Sequence, residues 1–378
     1  MTHTQPKHIV LGLSGGVDSG VAAWLLLQQG HRVTAVFMKN WEEDDGDNHC
    51  AAAEDHEVVK QICDRLQIPL RTINFATEYW DRVFSQFLID IRAGRTPNPD
   101  VLCNREIKFD VFLQYALSLG AELVATGHYA RLVKSASAYQ LLKGHDRAKD
   151  QSYFLYTLGQ NELAKTCFPL GGLTKPEVRT LAQRAGLPNY ARKGSTGICF
   201  IGERPFKAFL QRYVQSKPGE IRTLAGEIKG QHDGVIYHTI GQRHGLGIGG
   251  PGGAWYVVEK DIGRNILYVA QGDEHPSLFS AGLEAHELQW VAGTQPALPL
   301  RCRSKIRYRQ GDHPCLIEPG PGKTVRVIFA EPQRAVTPGQ SVVFYDEDVC
   351  LGGGVISHAL ANPAVERGSW YQRCKATA

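Results

Sequence analysis

Hydrophobic and polar residues follow one pattern in the first half of the chain. Short apolar runs rich in β-branched residues alternate with longer stretches in which apolar residues recur at helical spacing. The short runs predict strands at 9–13, 33–38, 70–75 and 123–126, and the longer stretches predict helices at 18–29, 51–66, 77–92 and 108–119. Strands separated by helices are typical of a parallel sheet with flanking helices, so we predict an α/β fold here.

The pattern changes beyond about residue 216, where stretches of helical length disappear. Short β-type runs separated by Gly and Pro take their place, at 237–240, 255–258, 266–269, 325–328 and 342–345. Runs of this kind are typical of small β domains. We therefore predict an α/β domain over residues 1–215, a small β-rich central domain over 216–282 and a C-terminal β-barrel over 283–378.

Composition and charge narrow the class of protein. The 378 residues are 43% hydrophobic and 21% charged, which is typical of a globular protein with more than one core. No run approaches 18 apolar residues, and no long apolar segment lies near the first methionine, so we expect neither a membrane span nor a secretory signal. The net charge of +4 permits a polyanionic partner without requiring one.

The cysteines indicate the compartment. Nine cysteines, an odd number with no CxxC pair, argue against a disulfide framework and against a zinc ribbon. With no export signal, we expect the chain in the reducing cytoplasm. The cluster of His49, Cys50 and His56 has no standard zinc spacing, so we predict no resident metal ion.

The sharpest local motif runs from Gly12 to Ser19, where it follows a predicted strand and opens a predicted helix. Its glycines let the backbone approach an anion, and the N–H groups at the helix start point toward that anion. Ser14 and Ser19 add hydroxyl donors, and Asp18 could hold a magnesium ion. We therefore favour phosphate binding over a plain strand-to-helix turn.

Two other known motifs, the Walker A loop and the nucleophile elbow of hydrolases, resemble residues 12–19 in part. A Walker A loop requires a Lys that the motif lacks. The G-x-S-x-G pattern of a hydrolase nucleophile elbow does match residues 12–16, but only one strand precedes it, which leaves no room upstream for the usual oxyanion loop.

The sequence SGGVDS at residues 14–19 resembles the PP-loop of N-type ATP pyrophosphatases. This resemblance implies an adenine nucleotide α-hydrolase-like fold and an enzyme that cleaves ATP between its α and β phosphates to adenylate an oxygen. It also implies which residues contact ATP. They are Gly12, Leu13, Ser14, Gly15, Gly16, Val17, Asp18 and Ser19, with Met38 and Gly127 flanking the adenosine.

Two cysteines lie in segments of unusual composition. Residues 96–104 contain two prolines, so we predict a stiff, extended loop that presents Asp100 and Cys103 in a fixed geometry. Glycines bracket Cys199 within residues 194–202. A cysteine on such a loop is more accessible, and therefore more reactive, than one in an apolar helix. Most cysteines are small core residues, however, and composition alone favours that reading for both.

Several motifs together resemble those of the tRNA-specific 2-thiouridylases (the MnmA/TrmU family). The matching segments are PNPDVLCN at 97–104, STGICFIGER at 195–204, MKNW at 38–41, GHDRAKDQSYFL at 144–155 and YHTIGQRHGLGIG at 237–249. The resemblance covers most of the chain. It implies ATP-dependent replacement of oxygen by sulfur at C2 of a wobble uridine in tRNA.

The resemblance also implies a role for each site residue. Cys199 carries sulfur as a persulfide that attacks the adenylated carbon. Cys103 is the nucleophile that then releases the thiolated base and leaves a transient Cys103–Cys199 disulfide. Release of hydrogen sulfide by Cys103, followed by its attack on the carbon, is the alternative. Asp100 is implied as the general acid/base, and Asn98 and Pro99 join it in holding the target base.

A run of alternating cations indicates an RNA surface. Arg301, Arg303, Lys305, Arg307 and Arg309 recur with a period of two. On a strand they would share one face, which suits a phosphate backbone, although most charged strand faces are only solvated. The resemblance assigns tRNA binding to a wider set, namely His128, Lys149, Asp150, Gln151, Arg307, Tyr308 and Gln340.

The partners implied are ATP as substrate with Mg²⁺, tRNA, and a sulfur-donor protein that is either a relay protein or a cysteine desulfurase. No permanent cofactor and no membrane partner are expected. Two other functions stay open. Another PP-loop ligase acting on a small molecule would not require both cysteines. A non-catalytic RNA-binding protein with a relict nucleotide loop would not turn over ATP.

Alanine at Cys103 or at Cys199 should abolish thiolation and leave ATP binding near normal, because both thiols act on sulfur and neither belongs to the PP-loop. Nucleoside mass spectrometry of the tRNA and equilibrium dialysis with ATP measure the two properties. Retained thiolation in the Cys199→Ala protein would contradict the persulfide role.

Overall fold

The computed structural model describes residues 5–42, 51–135, 138–192 and 206–361. Three sheets organise these residues: one is parallel, one is small and mixed, and one closes into a barrel. No helix within these ranges is long and apolar enough to cross a membrane.

The first domain is an α/β unit, as the sequence predicts. Its strands are β1 (His8–Gly12), β2 (Arg32–Lys39), β3 (Leu70–Asn74), β4 (Leu123–Ala125), β5 (Ala130–Lys134), β6 (Tyr139–Lys143) and β7 (Thr166–Cys167). Its helices are α1 (Val17–Gln28), α2 (Ala51–Leu66), α3 (Ala76–Tyr79), α4 (Ser85–Arg92), α5 (Pro99–Leu102), α6 (Phe112–Ser118), α7 (Gln160–Leu163) and α8 (Lys175–Arg184), and α9 (Phe206–Gln211) leads into the next domain. Five strands form a parallel sheet in the order β3-β2-β1-β4-β7.

Both faces of this sheet are covered, which explains why β1 is apolar along most of its length. Leu11 packs with residues of α1, α2 and α8 on one face. Its neighbour Val10 packs with the helical segments between residues 76 and 118 on the other face. The strand order reverses direction between β1 and β4, so their carboxyl ends form the crevice where ligands bind in sheets of this type.

The segment that carries Asp100 and Cys103 is helical, so the predicted extended loop is wrong beyond residue 98. Pro99 begins α5, and a π-helical segment, Cys103–Val111, continues the helix into α6. The side chain of Asn98 caps the start, accepting a hydrogen bond from the Asp100 N–H at 3.2 Å. Proline is favoured at the first position of a helix because its φ is already helical, and the prediction overlooked this role for Pro99.

The central domain is a four-stranded sheet. Its strands are β8 (Gly219–Thr223), β9 (Ile228–His232), β10 (Trp255–Asp261) and β11 (Ile266–Gln271), arranged in the order β10-β11-β8-β9. The strand predicted at 237–240 is wrong, because Val235–Tyr237 forms a 3-10 turn and the chain continues as a loop. The Tyr237 N–H donates to the Gly234 carbonyl at 3.1 Å, which closes this turn, and Gly234 and Gly241, both at positive φ, bracket the segment.

The third domain is a closed barrel, as predicted. Its strands are β12 (Phe279–Trp290), β13 (Leu300–Lys305), β14 (His313–Pro319), β15 (Val325–Arg334), β16 (Ser341–Asp346) and β17 (Val349–Leu360). They pair in the order β12-β15-β14-β13-β16-β17, and β12 pairs with β17 to close the ring. Leu283, Ile317, Val327 and Phe344 fill the interior.

The barrel is joined to the first domain by strands and by charge. The β5–β6 hairpin extends the barrel sheet through the pairing of Leu142 with Val349. Arg131 and Arg147 of the first domain both bond the carboxylate of Asp348, each at 2.6 Å. The buried ammonium of Lys143 bonds Asp312 at 3.0 Å.

The predicted face of five cations does not exist. β13 ends at Lys305, and residues 304–306 are all buried, so the alternation between the two faces stops there. Lys305 is 7% exposed and bonds Asp150 of the first domain at 3.1 Å. Arg303 pairs with Asp312 at 2.7 Å, and Arg307 lies in the turn that follows the strand. Period two indicates a shared face only while the strand continues.

Breaking the Lys305–Asp150 pair should destabilise the protein. Lys305→Met or Asp150→Asn alone leaves the other group buried without its partner charge, which costs about 3–5 kcal/mol. The double variant should cost less than the sum of the two, as measured by denaturant unfolding. Arg264→Met, which removes one arm of an ion pair that is 64% exposed at the arginine, is the control and should cost at most about 1 kcal/mol. Additive losses in the double variant would contradict the coupling.

Candidate active site at the carboxyl end of the parallel sheet

The PP-loop connects the carboxyl end of β1 to the start of α1. Gly15 has φ +76°, and Gly16, a residue with no side chain to cap the helix, is the extended N-cap residue of α1. The Ser19 hydroxyl accepts a hydrogen bond from the Ser14 N–H at 3.2 Å and donates one to the Gly16 carbonyl at 3.1 Å. The loop is therefore held in shape from within. Backbone N–H groups at a helix start of this kind suit a phosphate.

Met38 and Gly127, predicted to flank the adenosine, lie beside this loop. A Cβ on Gly127 would stand 2.9 Å from the Ser19 nitrogen, so only glycine lets the chain after β4 come this close to α1. A Cβ on Gly12 would stand 3.1 Å from the Met38 Cε. The structure thus brings the predicted ATP residues together where β1, β2 and β4 end.

Asp18 has partners that the sequence did not indicate. Its Oδ1 accepts hydrogen bonds from the Tyr129 hydroxyl at 2.7 Å and from the Lys175 ammonium at 2.6 Å. Burial, together with the Asp18 charge, raises the pKa of Tyr129, so this hydroxyl stays protonated and donates. Lys175 is thus paired with the Asp18 carboxylate beside the loop, and the predicted role of Asp18 in holding Mg²⁺ stays a prediction.

Two more residues brace the loop from outside the motif. Asn189 donates to the Gly15 carbonyl at 2.8 Å, and Arg192 donates to the same oxygen at 3.4 Å. They lie more than 170 positions along the chain from Gly15. Single asparagines and arginines carry no sequence signal for such a role, so only the folded chain reveals them.

Cys103 is buried at the start of the π-helical segment. Its exposed fraction is 0%, and it packs in the apolar layer with Val10, Val36 and Phe112. The next residue, Asn104, donates to the Phe154 carbonyl at 3.2 Å. A thiol in this position must become accessible before it can react. Cys199 and its glycine-bracketed segment lie outside the described residues, so the approach of the two cysteines stays a prediction.

Asn40, in the MKNW segment after β2, is a residue of this site that sequence reasoning missed. Its side chain is 2% exposed, and within the described structure neither amide atom has a hydrogen-bond partner. Such a group ordinarily costs about 1–3 kcal/mol. The match of MKNW was the signal that could have found it. The neighbouring Trp41 is a core residue instead, because its ring packs edge-on against Phe84 at 4.7 Å.

The residues predicted to bind tRNA fall into two groups. Lys149 is exposed, and Tyr308 is half-buried beside it, with its hydroxyl 3.4 Å from the Lys149 carbonyl. The Tyr308 ring also contacts Phe154, with centroids 4.5 Å apart. These two residues form an accessible surface that reaches the helix of Cys103 through Phe154.

The other predicted tRNA residues are occupied inside the protein. Asp150 is 2% exposed and bonds Lys305, so the structure places it away from a direct RNA contact. His128 is buried against Thr126, and burial, followed by the charge of Lys108, lowers the pKa of the imidazole, which favours its neutral form. Gln151 accepts from the Tyr129 N–H at 3.0 Å. Arg307 and Gln340 bond backbone carbonyls of neighbouring segments.

Gly127→Ala should lower ATP affinity by about tenfold or more, which corresponds to at least about 1.4 kcal/mol, because its Cβ would displace the start of α1. Equilibrium dialysis with ATP measures the effect. Gly172→Ala is the matched control, since a Cβ there meets nothing within 4 Å. Unchanged ATP affinity in a folded Gly127→Ala protein would place the nucleotide elsewhere.

Comparison with known proteins agrees with this arrangement. Three family descriptions match successive parts of the chain: "tRNA methyl transferase HUP domain" over residues 7–203, "tRNA methyl transferase PRC-barrel domain" over 207–271 and "Aminomethyltransferase beta-barrel domain" over 280–356. The first match covers the parallel sheet and the PP-loop. The third covers most of the barrel.

Curated relatives match nearly end to end. The chain is 60% identical to the tRNA-specific 2-thiouridylase MnmA of Methylococcus capsulatus over 355 residues, which cover 92% of this chain and 96% of the relative. The enzyme of the same name from Pseudomonas fluorescens is 56% identical over 96% of this chain and 98% of its own length. That from Halalkalibacterium halodurans is 54% identical over 94% of this chain and 96% of its own length. With this identity over almost its whole length, the chain belongs to the family of tRNA-specific 2-thiouridylases.

Proposed function

We propose that the protein uses ATP to replace the C2 oxygen of a uridine in tRNA, at the wobble position, by sulfur. The observation that carries the proposal is the placement of the PP-loop at the end of β1, with the helix of Asp100 and Cys103 packed on the same sheet. Relatives of more than half identity are named for this reaction.

The first step is activation of the carbonyl. The triphosphate lies on the N–H groups of residues 15–19, and Lys175 offsets its charge. The uridine C2 oxygen attacks the α-phosphate, and pyrophosphate leaves. The oxygen becomes part of AMP, which is a far better leaving group than oxide. Asn98, Pro99 and Asp100 hold the base, and Asp100 moves the proton that the uracil ring loses and regains.

The second step transfers sulfur from a Cys199 persulfide. The terminal sulfur attacks C2, AMP leaves, and the base stays joined to Cys199 through two sulfurs. The Cys103 thiolate then attacks the Cys199 sulfur, which breaks the S–S bond, forms the Cys103–Cys199 disulfide and releases 2-thiouridine. A thiol reductant restores both thiols. In the alternative path Cys103 frees hydrogen sulfide from the persulfide, and hydrogen sulfide attacks C2.

The remaining assignments belong to the same proposal. Lys149 and Tyr308 form the accessible part of the tRNA surface, and the other predicted contacts require local rearrangement. A separate protein donates the persulfide sulfur, either as a relay or as a cysteine desulfurase. The reducing cytoplasm is the compartment that this thiol chemistry requires. We also propose that the first domain ends at residue 215 and the central domain at residue 282.

Incubation of the protein with ATP, Mg²⁺, a cysteine desulfurase with cysteine as the persulfide donor, a thiol reductant and unmodified tRNA should produce 2-thiouridine, AMP and pyrophosphate together. Mass spectrometry of tRNA nucleosides detects the first, and chromatography with labelled ATP detects the others. A PP-loop ligase for small molecules would ignore the tRNA, and an RNA-binding protein with a relict loop would form neither nucleotide product. AMP release without 2-thiouridine, with the sulfur source present, would reject the proposal.

A further inference from the structure

The backbone just before the catalytic helix α5 is held by the other two domains. The Thr96 N–H donates to the Pro338 carbonyl at 2.9 Å, and the Gln340 amide donates to the Thr96 carbonyl at 2.7 Å. Both backbone groups of Thr96 therefore bond the barrel turn that spans residues 335–340. The Thr96 hydroxyl lies 3.4 Å from the Thr239 hydroxyl of the central domain.

Close packing makes this contact specific. Gly339 has φ +90°, and a Cβ there would stand 2.9 Å from the Arg95 Cβ and 3.0 Å from the Thr96 nitrogen. Gly241 of the central domain has φ +82°, and its Cβ would stand 2.6 Å from the Ala335 Cβ. Three domains thus meet with no room for a side chain at either glycine. We call residues 95–97, 239–241 and 335–340 the three-domain junction.

Arg307 of the barrel connects two segments of the junction by hydrogen bonds. One guanidinium nitrogen, Nη2, donates to the Ile240 carbonyl at 2.9 Å, the Ala335 carbonyl at 3.1 Å and the Thr337 hydroxyl at 3.2 Å. The first acceptor belongs to the central domain and the other two to the barrel turn. Tyr308, the next residue, lies on the accessible surface beside Lys149.

From these contacts we infer that Arg307 and Gln340 are positioning residues that set the place of Asp100 and Cys103. The junction fixes Thr96, Asn98 caps α5 two residues later, and Asp100 and Cys103 follow on the same helix. A shift of the barrel turn therefore moves the start of α5. This inference rests on the proposed function and adds that the alignment of the catalytic helix depends on two side chains of the barrel.

Two variants of the full-length protein separate positioning from RNA contact. Arg307→Lys keeps the positive charge that a phosphate would meet, but its shorter side chain does not carry a donor as far as the position of Nη2, which bridges the two domains. Gln340→Met keeps the shape and removes the amide that bonds Thr96. Gln183→Met and Arg184→Lys make the same changes at exposed positions on α8 and serve as matched controls. Thermal unfolding verifies that each variant is folded.

The deciding readout needs neither RNA nor ATP. The rate at which iodoacetamide alkylates Cys103, followed by peptide mass mapping, should rise about tenfold in Arg307→Lys and Gln340→Met, because a loosened α5 opens more often. The controls should match the wild type. Single-turnover thiolation at saturating tRNA should fall about tenfold or more, since a misplacement of about 1 Å can cost ~100-fold, while the tRNA Kd stays unchanged.

An unchanged Cys103 alkylation rate in both folded variants overturns the inference, whatever happens to thiolation. A raised Kd with an unchanged thiolation rate also overturns it, because that is the behaviour of a simple RNA contact. If thiolation and affinity both fall, the RNA-free alkylation rate decides. If the wild type does not thiolate tRNA, the proposed function fails, and the alkylation experiment still tests the junction.

Discussion

Buried charge holds the barrel against the first domain, and the geometry of the site depends on that attachment. Lys305 bonds Asp150 and Lys143 bonds Asp312, and each pair joins the two domains. Both ammonium groups also lie over the ring of Tyr345, 4.4 Å from its centroid for Lys143 and 5.4 Å for Lys305. A buried ammonium is tolerated only with a partner charge and acceptors in place, and for Lys143 and Lys305 the partner carboxylate comes from the other domain. The two ion pairs therefore fix how the barrel sits on the first domain. The contact of the barrel with Thr96 depends on this placement.

The parallel sheet and the PP-loop could be predicted because they depend on local patterns. A buried strand, a glycine-rich turn and an amphipathic helix each leave a periodic or compositional trace within about a dozen residues. Helix α2 spans residues 51–66 as the periodicity predicts. The braces of the loop could not be predicted in this way. Lys175 reaches Asp18 across 157 positions, and a lone lysine outside the motif has no feature that sets it apart from a solvated one.

The wrong predictions share a physical cause, which is that side-chain context changes the meaning of a local pattern. Alternating cations at 301–309 indicate one face only on a continuous strand, and the burial of Ser304, Lys305 and Ile306 in succession ends that condition. Prolines at 97 and 99 indicate an extended chain until Pro99 is recognised as the first residue of a helix that Asn98 caps. The RNA contact implied for Asp150 stays a prediction, and its ion-pair partner Lys305 lies 155 positions away in another domain. The deciding context is adjacent for Pro99, whose neighbour Asn98 caps the helix, and distant for Lys305, whose partner is Asp150.

The π-helical segment that begins at Cys103 has a consequence for how a buried thiol can reach a substrate. A π turn holds one residue more than an α turn, and it often occurs at functional sites. If the extra residue migrates along the helix, the residues it passes rotate by about 100° around the axis while most of the backbone hydrogen bonds are kept. Cys103 is the first residue of this segment, so such a migration would change the direction of its side chain. A shift of the π turn by one residue would therefore reorient this buried thiol while the helix stays folded.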